Sequence, residues 1–83
     1  MYYVYLLRSR SSGKIYTGYS KNLKNRIKTH LSKGVHTTKR MGKLDLIFYE
    51  AYKSDKDAKR REKYLKTTKG KRNLKLMLKY SLL

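Results

Sequence analysis

The chain predicts an α+β domain, a three-stranded antiparallel sheet flanked by helices in the order ββαβαα. Three observations point there. An apolar, β-prone run opens the chain and resumes after a Ser/Gly turn. Apolar residues at helical spacing follow it, and a third strand-like run precedes two more helical stretches. With 83 residues the chain reads as one domain over residues 1–83, with shallow surfaces rather than deep cavities.

Residues 2–8 are apolar on both faces, as expected of an interior strand. Ser11-Ser12-Gly13-Lys14 supplies turn chemistry and Ile15 to Tyr19 resumes the strand pattern, so residues 2–19 form a hairpin. Asn22 is placed to cap a helix in which Leu23, Ile27, His30 and Leu31 recur at i, i+4, i+7 and i+8, and Gly34 ends it. After a polar, basic loop from Val35 to Lys43, Leu44 to Tyr52 reads as the third strand. Ser54-Asp55-Lys56-Asp57 has the form of an N-cap with acids in the first turn, opening a helix to about Lys66. Thr67 to Gly70 reads as a break, and Leu74, Met77 and Leu78 give a last amphipathic helix.

Net charge is +18, from 23 Lys+Arg against five Asp+Glu. A solvated basic surface explains the lysines but not the scarcity of acids. Charge of this size draws a small body to polyanions, nucleic acid before anionic membrane. The absence of cysteine excludes disulfides, thiolate metal sites and a cysteine nucleophile. The apolar start is too short to span a bilayer and lacks a basic leader, so the expected location is the cytoplasm.

Tyr5, Tyr16 and Arg26 are spaced by eleven and ten residues, with Gly18 two beyond the second tyrosine. With nine tyrosines in the chain, a Tyr pair alone decides nothing. Adding the arginine and the glycine cuts the chance expectation to roughly 0.005. Each residue also has an ordinary reading: a strand tyrosine packs, a helix arginine is a solvated charge, and a boundary histidine is a satisfied one. Arg26 and His30 lie one turn apart beside the Leu23/Ile27/Leu31 stripe, so both should border the sheet surface as a phosphate clamp and a proton-relay group. Glu62 stands between Ala58 and Leu65 on a core-facing stripe, where a carboxylate is unexpected unless Lys66 pairs with it or a hard cation binds it. Asp45 and Glu50 remain possible second ligands.

This constellation resembles the GIY-YIG nuclease superfamily, and its small stand-alone branch most, over nearly the whole chain. The first motif reads Tyr3-Val4-Tyr5, the second Tyr16-Thr17-Gly18, and Arg60-Arg61-Glu62 resembles the branch's Arg-Arg-Glu stretch. Residue 3 is not the glycine, and residue 17 not the isoleucine, of the superfamily's name; Tyr19 stands near where excinuclease-type members have a lysine. The resemblance implies a metal-dependent endonuclease acting on DNA rather than RNA, in repair or recombination. Tyr5, Tyr16, Arg26 and His30 would be catalytic, and Glu62 would hold Mg²⁺ or Mn²⁺. Gly18, Tyr19, His36, Thr38 and Lys39 would line the substrate groove. It further implies that Arg26 holds the scissile phosphate, that Tyr5 deprotonates water with Tyr16 orienting it, and that His30 relays the proton or is itself the base. A free phenol is only about 0.1% ionised at pH 7, so a tyrosine base needs help. Two other classes compete: an inactive nucleic-acid-binding module of the same fold, and a ribosome-associated RNA-binding protein.

Overall fold

The computed structural model describes residues 1–31 and 42–82. The described residues hold three strands, β1 (Tyr2–Ser9), β2 (Ile15–Ser20) and β3 (Leu44–Tyr52), and three helices, α1 (Leu23–Leu31), α2 (Asp55–Leu65) and α3 (Thr68–Met77). The order is ββαβαα and the sheet is antiparallel, β2-β1-β3. The fold is thus the α+β arrangement expected from the sequence.

The central position of β1 explains its composition. Val4, Tyr5, Leu6 and Leu7 are all buried because both faces of this strand are covered. Val4 and Leu6 pack with Ala58 and Leu65 of α2 and with Leu74 and Leu78 beyond. Tyr5 and Leu7 face the other way, onto Leu44, Tyr16 and the α1 residues Leu23 and Ile27. The hairpin turn is closed by Ser9 N–H to the Lys14 carbonyl at 2.9 Å and by Gly13 N–H to the Ser9 carbonyl at 2.9 Å. Gly13 has φ of 72°, a left-handed conformation in which glycine carries no penalty.

β3 contains a bulge that strand periodicity did not announce. Leu6 pairs with Phe48 but Leu7 with Leu46, leaving Ile47 as the extra residue. The bulge turns Ile47 and Phe48 together toward the α2–α3 layer, where both pack on the core. The parity of the strand changes there, so Leu44 can join the cluster under α1.

The helix starts are set by local hydrogen bonds. Asn22 Oδ1 accepts from Asn25 N–H at 3.2 Å, and Ser54 Oγ accepts from Asp57 N–H at 3.4 Å. The end of α1 at Gly34 lies outside the described residues. The expected break at 67–70 is corrected. Thr67 is the N-cap of α3, its Oγ1 accepting from Gly70 N–H at 3.0 Å, and Gly70 lies inside the helix. A Cβ on Gly70 would come within 2.0 Å of the Tyr64 carbonyl oxygen, so the glycine lets α3 seat directly on the last turn of α2. Met77, expected on the apolar face of this helix, is 42% exposed, while Leu74 and Leu78 are buried.

Candidate active site

The site begins with a cross-strand pair. Tyr5 and Gly18 are directly opposed in the β1–β2 register. A Cβ at Gly18 would lie 2.3 Å from Cζ of Tyr5 and 2.4 Å from its hydroxyl. The phenol ring therefore lies across the glycine, in space that no other residue would leave open.

Helix α1 then brings two side chains to the Tyr5 hydroxyl. Arg26 Nε donates to it at 3.3 Å, and it lies 2.8 Å from Nε2 of His30. A guanidinium only donates, so the phenol oxygen accepts from Arg26, and the same hydroxyl is hydrogen-bonded to the imidazole. Tyr16 completes the cluster, with its ring centroid 6.3 Å from that of Tyr5 and 5.1 Å from that of His30.

Electrostatics keep the buried part neutral. Burial pushes the Tyr5 phenol above its ordinary range and outweighs the hydrogen bond from Arg26, which pulls the other way. Burial, and then the Arg26 charge, hold His30 below the usual imidazole value. The hydrogen bond to Tyr5 raises Arg26, which remains charged throughout.

His30 borders the sheet at Tyr5 and Tyr16 as expected, but as a buried group rather than one at the rim: it is 1% exposed, and Tyr5 is 0% exposed. The reason lies in the Tyr5–Gly18 pair: the Tyr5 ring occupies the space a side chain at Gly18 would fill, and the histidine packs against it and bonds its hydroxyl. Tyr16 and Arg26 are only half-buried and form the accessible edge of the cluster.

Glu62 stands apart. Its helix covers the opposite face of the sheet, and the carboxylate lies in an open groove of about 630 Å³ with Tyr19, Lys59, Arg60, Lys63 and Lys66. It accepts from Lys66 Nζ at 3.2 Å and is half-buried rather than core-facing. Its charge still reaches across to Tyr5 and Tyr19, opposing ionisation of both. The Tyr19 hydroxyl donates to Asp55 at the start of α2, a bond that pushes the phenol up to about 12, and Lys59 lies 5.6 Å above its ring. Tyr19 thus ties β2 to α2 beside Glu62.

The second ligands expected from the sequence are engaged elsewhere. Asp45 forms a bidentate pair with Arg10, at 2.8 and 2.9 Å, and Glu50 accepts from Arg61 at 2.9 Å and from the Tyr52 hydroxyl at 2.7 Å. Among the described residues no three His, Asp or Glu side chains gather as a metal cluster. His36, Thr38 and Lys39 lie outside the described residues. Sequence reading missed the cationic ring around Glu62, although its signal is plain in the Lys-Arg-Arg-Glu-Lys run at 59–63.

A small α+β domain that sets two tyrosines, an arginine and a histidine around one strand glycine has the makings of a GIY-YIG catalytic domain, and the model of that domain matches residues 1–75. The chain belongs to this family and, within it, to the small UPF0213 proteins. It is 38% identical over 79 residues to a UPF0213 protein of Clostridium perfringens, covering 94% of this chain and 82% of that one. A UPF0213 protein of Staphylococcus haemolyticus is 35% identical over 77 residues, covering 92% and 93%. The solution NMR structure of a UPF0213 protein from Bacillus halodurans superposes with a TM-score of 0.58 at 34% identity, covering 93% of this chain and 85% of that one. The domain implies nuclease-type chemistry and hence a nucleic-acid substrate. Among the described residues no helix is long and apolar enough to cross a membrane.

Proposed function

We propose that the protein is a divalent-metal-dependent endonuclease that hydrolyses phosphodiester bonds in DNA, in the cytoplasm and in the service of repair or recombination. The observation that carries this reading is the hydrogen-bonded cluster that joins Arg26, the Tyr5 hydroxyl and His30. Packing alone does not require a buried phenol to have a cation on one side and a neutral imidazole on the other.

The cluster assigns a role to each residue. Arg26 is a permanent cation at the accessible edge and holds the scissile phosphate and its developing charge. In the free protein its Nε occupies a lone pair of the Tyr5 oxygen. When Arg26 turns to phosphate it releases that lone pair to the attacking water, which Tyr16 orients. The water proton passes to the Tyr5 oxygen as the Tyr5 proton passes to Nε2 of His30. The new P–O bond forms as the bond to the leaving 3′ oxygen breaks. Because the phenol is held above its ordinary pKa, the imidazole is the final proton acceptor.

The residues fit a hard cation of the Mg²⁺ or Mn²⁺ type. Such an ion keeps several waters and needs one or two protein carboxylates when substrate phosphates supply the rest. Glu62 is one open carboxylate, paired among the described residues with a lysine one helical turn away. When bound there, the ion supplies charge neutralisation at the phosphate and at the leaving oxygen.

The test is cleavage of branched and nicked DNA with Mg²⁺, with Mn²⁺ and with EDTA. Metal-dependent cutting abolished by Arg26→Ala and by Tyr5→Phe, in proteins that still melt cooperatively, is the expected result. Tight DNA binding with no cutting in any metal would leave an inactive binding module, and binding confined to structured RNA an RNA-binding protein.

A further inference from the structure

The sheet face under α1 carries a second feature on the β3 side of the active cluster. Tyr49 is the β3 partner of Tyr5, opposite to Gly18, and Tyr3 lies two residues before Tyr5 on the same face. The two outer rings form an edge-to-face pair with centroids 6.2 Å apart. They line a groove of about 560 Å³ between β3 and α1, floored by Leu46 and Ile27 and flanked by Lys21 and Lys24. Tyr49 is 54% exposed and Leu46 39%.

We propose that this groove binds an unpaired stretch of single-stranded DNA, with bases stacked on Tyr49 and Tyr3 and the backbone phosphates held by Lys21 and Lys24. The inference rests on the nucleic-acid reading of the neighbouring site and adds to it a strand preference. Aromatic faces bordered by cations are the combination that binds single strands without reading sequence. Every base has a face to stack, but in a duplex both faces are already covered, so the platform selects an unpaired strand. The charge pattern favours this occupant. All five carboxylates of the chain pair with cations elsewhere: Asp45 with Arg10, Glu50 with Arg61, Asp55 with Lys59, Asp57 with Arg60 and Glu62 with Lys66. None lines the groove. A second copy of the chain would bring another +18 against it.

The platform and the active cluster share one sheet face and adjoin through Tyr5. A substrate with a single-stranded arm can therefore be held by its bases on one side while a phosphate meets Arg26 on the other. That arrangement suits a junction between paired and unpaired DNA.

The experiment is fluorescence anisotropy in EDTA, which stops any cleavage, with a labelled oligo-dT and with a duplex of the same number of phosphates. Tyr49→Ala should weaken oligo-dT binding about ten-fold, as loss of one base–aromatic stack does, and leave duplex binding within about two-fold. Tyr49→Phe should restore the single-strand affinity, since the ring and not the hydroxyl is what stacks. Tyr3→Ala should weaken oligo-dT binding in the same direction, and a thermal melt of each variant checks that it is folded. Unchanged oligo-dT affinity in folded Tyr49→Ala and Tyr3→Ala, or an equal loss on both DNAs, overturns the proposal. So does a wild-type dimer that Tyr49→Ala dissociates, because the face would then be covered by a second copy. If wild type binds both DNAs but never cuts, the nuclease reading fails while the platform stands. If it cuts and the variants bind normally, the platform alone fails.

Discussion

On one side of β1, Val4 and Leu6 pack against Ala58, Leu65, Leu74 and Leu78; on the other, Tyr5 is equally buried but carries a hydroxyl bonded to Arg26 and His30. The two faces also use glycine differently. Gly70 makes room for backbone: a Cβ there would meet the Tyr64 carbonyl and, at 2.7 Å, Cα of Leu65. Gly18 makes room for one side chain, the Tyr5 ring. The first glycine therefore belongs to the fold and the second to the site. A strand buried on both faces can thus carry stability on one and chemistry on the other, one residue apart.

The sharpest way to break that comparison is to fill each glycine. In Gly70→Ala the obstacle is main chain, which cannot swing aside, so α3 must lift from α2. Overpacking of this kind costs about 3 kcal/mol or somewhat more, and in a domain of this size that lowers Tm by roughly 12 °C or more. Gly18→Ala should cost less, about 1–3 kcal/mol, because the Tyr5 ring can move. Moving the ring separates its hydroxyl from His30, and a displacement near 1 Å at a reacting group costs about 10²-fold in rate. Thermal melts and single-turnover cleavage on both variants give the answer. If Gly18→Ala cuts at the wild-type rate, the position of Tyr5 does not matter and the two glycines are equivalent packing devices.

Where the determinants are local, the sequence was enough. Asn22 and Ser54 cap their helices as expected because a cap depends on residues three apart, and Leu44 to Tyr52 forms the third strand with those bounds. Non-local facts were not legible. The bulge at Ile47 depends on two layers claiming neighbouring residues, and the burial of His30 on the absence of a side chain twelve positions earlier at Gly18. Spacing could place Arg26 and His30 on one face, but not tell that one remains at the edge while the other closes over a phenol. Asp45 and Glu50 show the same limit: their partners, Arg10 and Arg61, are 35 and 11 residues away.

A smaller effect distinguishes the two faces by pH. His30 titrates below its ordinary 6.5 in the fold, because burial and Arg26 oppose its charge. The unfolded chain therefore takes up a proton that the folded one resists, and stability is lost as pH falls from about 6.5 toward the folded value. The apolar face has no such group, and Asp45 and Asp55, held below 3.8 by Arg10 and by Tyr19, titrate at lower pH. Wild type should thus lose Tm between pH 7 and pH 5, and His30→Gln should lose distinctly less over the same interval. Cleavage should share the acid limb and stay flat from about pH 7 to 9, since the imidazole and not free phenolate limits the proton transfer. Equal pH dependence of Tm in the two proteins would mean that the histidine is not held neutral by its surroundings. A rate that climbs to pH 9 would return the final acceptor role to Tyr5.

The smallest stability effect is expected at Glu62, and its contrast with Glu50 sharpens the division most. Glu50 is fastened by Arg61 and by the Tyr52 hydroxyl, whose own pKa is pushed up to about 12, first by burial and then by this bond. Its pair is half-buried, with side chains 22% and 24% exposed. Removing the charge strands Arg61, so Glu50→Gln should cost about 1.5–3 kcal/mol and leave cleavage intact. Among the described residues Glu62 pairs with Lys66, itself 54% exposed, and an i,i+4 pair of that kind is worth about 0.3–0.5 kcal/mol. Glu62→Gln should therefore shift Tm by no more than roughly 2–4 °C. It should keep or improve DNA affinity, since a negative charge leaves a groove lined by four cations. Metal-dependent cleavage should nonetheless be lost, because Glu62 is the carboxylate whose charge reaches Tyr5. The decisive measurement is the pair of melts without metal set beside the pair of cleavage rates with it. A Glu62→Gln protein that melts well below wild type and still cuts would make Glu62 a structural residue like Glu50, and the cation would be left without its carboxylate.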